Sequence, residues 1–65
     1  MKYFLSGEIN NRQIKARHFR SRKEAEKSLN EILFNNDLQV EWNRRIDHTE
    51  EFVCNDYTRF FVGRL

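Results

Sequence analysis

The chain has 65 residues, with 12 lysines and arginines against 10 aspartates and glutamates and a formal net charge of +2. One domain is the most this length can make, and a chain so short buries only about 60% of the surface its unfolded state exposes. One cysteine, Cys54, excludes an internal disulfide, and no Cys/His spacing suits zinc, so core packing or a partner must supply stability.

The opening "MKYFLSGE" carries too short an apolar run for a secretory h-region, which needs about 7 to 15 residues. No other run approaches the ~20 residues of a membrane span. With no proline and no Ser/Gly-rich linker, the expectation is a single ordered domain over residues 1–65, off the membrane. The lone thiol fits a reducing cytoplasm.

From Lys2 to Ile9, Tyr3, Leu5 and Ile9 alternate with Phe4, Ser6 and Glu8, a period-2 pattern that predicts a strand. Asn10-Asn11 then suits a two-residue hairpin turn, because Asn tolerates positive φ. That turn sets a register in which Ile9 faces Arg12, Gly7 faces Ile14, Leu5 faces Ala16 and Tyr3 faces His18. On the other side Phe4 meets Arg17, Ser6 meets Lys15 and Lys2 meets Phe19.

Ser21 followed by Glu24 is a capping-box pattern, so a helix should begin at Arg22. Ala25, Leu29, Ile32, Leu33 and Asn36 make its inner stripe, Phe34 points outward, and "NND" at 35–37 ends it. Beyond it, Leu38, Val40, Trp42 and Ile46 alternate with polar residues, giving a third strand with a core face and Trp42 as a core anchor. "DHTEE" reads as a polar turn. In the last segment Phe60 and Val62 fall on one face and Tyr57, Phe61 and Leu65 on the other, as in a central or covered strand. The fold expected is α+β: an antiparallel sheet of four to five strands with one helix packed on one face, in the order β-β-α-β-β(-β).

Enzyme chemistry is not expected, nor a cofactor or metal. His48 has Asp47, Glu50 and Glu51 beside it, but neighbours on a turn do not converge on one point, and no phosphate loop or nucleophile motif accompanies them. His18 belongs on the core side opposite Tyr3. The stronger signal is charge: residues 12–23 hold six cations and no acid, in a chain whose net charge is only +2.

In the predicted register Lys2, Lys15 and Arg17 interleave with Phe4 and Phe19, and Arg20, Arg22 and Lys23 cluster at the helix start. Cations among aromatic rings suit single-stranded nucleic acid, and a helix N-terminus suits phosphate. The same residues also suit a solvated strand that resists aggregation. Phe34, Tyr57 and Phe61 add more apolar surface than one helix can cover. The first expectation is therefore a small non-enzymatic module acting through a protein partner or a homodimer. The alternative is phosphate-backbone binding through residues 12–23 and the first strand.

Overall fold

The computed structural model describes residues 1–65. Seven elements follow in chain order: β1 (Tyr3–Ile9), β2 (Arg12–Gln13), β3 (Arg17–Phe19), α1 (Arg22–Asn35), β4 (Trp42–Ile46), β5 (Thr49–Asn55) and β6 (Thr58–Arg64). The strands form one antiparallel sheet in the order β2-β1-β6-β5-β4, with β3 also pairing β1. The helix covers one face, so this is the α+β class that the pattern of elements implies.

Asn10 and Asn11 sit at φ 51° and 67°. Two successive left-handed residues give a turn whose twist matches the strands it joins. The Asn10 amide donates to Thr58 Oγ1 at 3.1 Å, and the Asn11 amide donates to the Tyr57 carbonyl at 2.9 Å, which ties this turn to the one between β5 and β6.

Next to the turn the expected register holds, with Ile9 opposite Arg12 and Glu8 opposite Gln13. It then slips. The Ile14 amide donates to the Gly7 carbonyl, residues 14–16 leave the ladder, and β3 re-enters with Leu5 opposite Arg17, Phe4 opposite His18 and Tyr3 opposite Phe19. Three residues on one strand span two on the other, which is a bulge. Because side chains alternate with period 2, this one-residue slip moves every later side chain to the other face. Phe19 therefore turns to the core instead of joining Phe4. The break lies beside Gly7, whose φ is +155° and where a Cβ would collide with the Arg59 carbonyl and Phe60.

Ser21 caps α1, accepting the Glu24 amide at 3.2 Å. At the other end Asp37 adopts φ 53°, the Leu38 amide donates to the Leu33 carbonyl at 2.8 Å, and the Asp37 amide donates to the Phe34 carbonyl at 3.3 Å. These two bonds are a Schellman stop, with Leu33 and Leu38 both packed on the core as its apolar clasp. Ala25 and Leu29 are buried, Ile32 and Leu33 half-buried, and Phe34 is 87% exposed, as the stripe requires. Asn36, expected on the inner face, is exposed and serves as the C-cap.

The core joins Leu5, Phe60 and Val62 from the two central strands to Ala25, Leu29 and Cys54. Each large side chain buried there contributes about 1.5–3 kcal/mol.

The third strand differs from expectation. Only residues 42–46 form it, and all five are exposed. Leu38 and Val40 do pack on the core, but as an irregular approach segment. Trp42 pairs with Val53 on the face away from the helix and is 50% exposed. The sequence pattern ran on through residues 38–41, which lie outside the strand, so the alternation carried no common face. The polar turn is likewise shorter, reduced to Asp47 and His48, with Thr49–Glu51 already in β5.

Candidate interaction surfaces

Strand register fixes which side chains stand together on the sheet face that no helix covers. Reading across the strands, one row is His18, Phe4, Gly63, Thr49 and Ile46. The next is Ser6, Phe61, Glu51 and Arg44, and the third is Gln13, Glu8, Arg59, Val53 and Trp42. The Phe4 ring lies over Gly63, where a Cβ would stand 2.7 Å from it.

A ladder of alternating charge crosses this face. Arg44 Nε donates to Glu51 Oε1 at 2.8 Å and Arg59 donates to Glu51 Oε2 at 3.0 Å, so a buried carboxylate is held by two guanidiniums. Arg59 reaches on to Glu8 at 3.6 Å, the loosest rung, and its Nε is buried without a hydrogen-bond acceptor. At the far end the Arg44 guanidinium lies 5.8 Å from the centre of the Trp42 ring, a cation–π distance. The ladder makes the open face nearly neutral.

A second cluster stands on the helix side. Arg22 donates to Glu50 Oε1 at 3.1 Å and lies 3.4 Å from Glu26, Arg45 approaches the same Glu50 oxygen at 3.9 Å, and Asn43 donates to Oε2. Arg22 thus has acidic partners and does not present a free cation beside the helix N-terminus.

The residues that the charge run and its register singled out do not assemble on one face. Phe4 lies on the open face, Phe19 faces the core, and Lys15 lies in the bulge. Arg17, opposite Leu5, is on the helix side of the sheet margin, and Arg20 and Lys23 flank the helix cap. Lys2 precedes β1, its carbonyl accepting the Leu65 amide. The predicted interleaving of Lys2, Lys15 and Arg17 with Phe4 and Phe19 depended on a register that the bulge breaks. What remains is a basic margin: Arg12, Lys15, Arg17, Arg20 and Lys23 make no ion pair.

The three expected apolar contacts are also separate. Phe34 stands on the outer side of α1, Tyr57 in the β5–β6 turn, and Phe61 on the open face. Two residues not assigned to a surface from sequence, Trp42 and Ile46, are half-exposed together on β4, at 50% and 52%. Their signal was available in "EWNRRID", where two arginines between apolar residues suit an edge strand better than a core strand.

A depression of about 350 Å³ opens where the bulge leaves β1, floored by Phe61 and rimmed by Ser6, Glu8 and Gln13. His18 lies on the β3 margin and His48 in the β4–β5 turn, both exposed. Cys54 is buried among core residues, and that desolvation, with a smaller push from the Glu41 charge, raises its thiol pKa. No helix is long and apolar enough to cross a membrane. Compared with known proteins, the chain matches no family model, no curated protein and no solved structure.

Proposed function

We propose that this chain is a small non-enzymatic, cytoplasmic binding module that works through protein–protein contact at the β4 margin. One observation carries the reading: β4 closes the sheet as an edge strand with all five residues exposed, Trp42 and Ile46 among them. An exposed edge offers unpaired amides and carbonyls, and a strand laid along it satisfies them. Contact there would also cover the indole, the kind of side chain that anchors interfaces.

The charge arrangement supports a protein partner. Arg44 is held by Glu51, and the acids Glu41, Glu50 and Asp47 stand around the exposed Arg45, so β4 offers little net field to a polyanion. Aromatic rings and free cations lie on different surfaces, which removes the combination that base stacking with phosphate contact needs. Photo-crosslinking from position 42 in cells expressing the chain tests the reading, with position 27 on the helix as control. Protein adducts of defined mass from position 42 alone are expected; adducts that nuclease removes, or none, would contradict it.

The unpaired cations of the β2–β3 margin favour a second reading, contact with a phosphate backbone without base stacking. If it holds, Arg17→Ala weakens binding to any oligonucleotide and lowers the log–log salt slope by about 0.7 to 0.9.

A further inference from the structure

We infer that the partner at β4 is β4 of a second copy, paired antiparallel about a two-fold axis through Asn43; this rests on the reading of β4 as a protein contact. A two-fold axis perpendicular to a sheet sets one residue opposite itself, and the charges of "EWNRRID" select which one. Centred on Asn43, the pairing places Glu41 opposite Arg45 of the second copy, Trp42 opposite Arg44, and Asn43 opposite Asn43. Every cross-strand pair is then complementary, and each heterotypic pair occurs twice.

Centring on Trp42 sets Glu41 against Asn43 and Val40 against Arg44 and so forms no ionic pair, and the registers on the other side oppose like charges. Centring on Arg44 sets arginine against arginine and Glu41 against Asp47, and centring on Arg45 again opposes like cations, arrangements that destabilise a strand pair.

The geometry within one copy is already suited to this. Glu41 has no ion-pair partner, and Arg45 has only the 3.9 Å approach to Glu50 with most of its side chain exposed, so both are free to turn outward. The Glu41 amide donates to the Val53 carbonyl at 2.9 Å, which holds residue 41 in line with β4. Glu41, Asn43 and Arg45 alternate with Trp42 and Arg44, so the ionic pairs form on the helix side and the Trp–Arg stacks on the open side. There Arg44 over Trp42 within one copy continues into Arg44 of the next, extending one cation–π column across the joint.

The opposite margin does not suit self-pairing. β2 and β3 are two and three residues long, are separated by a bulge, and carry Arg12 and Arg17 with no acid between them. Pairing through β4 alone therefore closes at two copies, whereas a head-to-tail contact between unlike edges would extend without limit. A five-residue joint is well below the ~1,600 Å² of a standard interface, so the association is weak and visible only at high protein concentration.

Sedimentation equilibrium on four samples tests this: the natural chain, Glu41→Arg, Arg45→Glu, and an equimolar mixture of the two variants. The natural chain is expected to dimerise with rising concentration. Each variant alone, with both of its ionic pairs turned repulsive, should dimerise at least about tenfold more weakly. The mixture should recover the dimer, because Arg at 41 of one chain meets Glu at 45 of the other in this register and no charge is left opposed. Both sites are exposed, and recovery on mixing itself shows that the variants fold.

A natural chain that stays monomeric would overturn the inference, and protein adducts from position 42 would then show that β4 meets a different protein. Variants that dimerise as the natural chain does would also overturn it, placing self-association on another surface.

Discussion

At one margin of the sheet, β2 and β3 offer short strands broken by a bulge, with Arg12, Lys15 and Arg17 unpaired. At the other, β4 runs five residues without a break, and its two arginines sit against carboxylates of β5. Counted along the chain, both segments are basic. In the fold they differ, because charge governs contact only where it is left without a partner. The first margin carries the devices that keep a strand edge from pairing: shortness, a bulge and like charge. The second is longer and unbroken, and its adjacent Arg44 and Arg45 are flanked by the opposite charges of Glu41 and Asp47.

The comparison breaks most severely at Gly7. Alanine there must hold a φ of +155° with its Cβ against the Arg59 carbonyl, so Gly7→Ala should cost roughly 2–4 kcal/mol in urea denaturation. In a domain this small that is a large fraction of the total stability.

Next in size is Glu51→Ala, which leaves Arg44 and Arg59 without their shared acceptor. Both arginines can rehydrate in part, so the expected loss is about 2 kcal/mol. Amide exchange should show β4 losing protection first while β1 and its β2–β3 margin keep theirs.

Trp42→Ala separates folding from contact. The indole is half-exposed, and its removal should lower stability by less than about 1 kcal/mol while abolishing the β4 association seen by sedimentation. Equal loss of both would mean that Trp42 serves the fold.

The smallest effect concerns Cys54. Its thiol pKa is raised above the ordinary value of 9.0, first by burial and then by Glu41. The folded state therefore keeps a proton that the unfolded chain gives up, so stability falls as pH rises from about 9 toward the folded value. The slope should disappear in Cys54→Ala, measured by urea denaturation between neutral and alkaline pH.

Much of the fold was legible because local chemistry agreed with global packing. The Asn10-Asn11 turn, the Ser21/Glu24 cap and the stop at 35–37 each rest on neighbouring residues and appear where the sequence put them; Phe60 and Val62 do share the core face with Phe61 opposite, whereas Tyr57 and Leu65 fall outside β6. The register beyond Gly7 was not legible, since a bulge adds one residue without changing the alternation on either side of it. That single slip dismantled the mixed aromatic and basic face. Trp42 misled for a related reason: its phase with Leu38 and Val40 assumed an unbroken strand, and the backbone before residue 42 is irregular. Ion pairing between Arg22 and Glu50, 28 positions apart, was out of reach of any local pattern.

The most direct test of β4 as the contact margin is an amide-resolved NMR series on labelled protein, from low micromolar to near-millimolar concentration, repeated with oligonucleotides at low and moderate salt. Shifts and broadening that grow with concentration and centre on residues 41–46, with residues 12–23 unmoved by oligonucleotide, are the expected result. Constant β4 amides, together with salt-sensitive shifts across residues 12–23, would contradict it and give the basic margin the function instead.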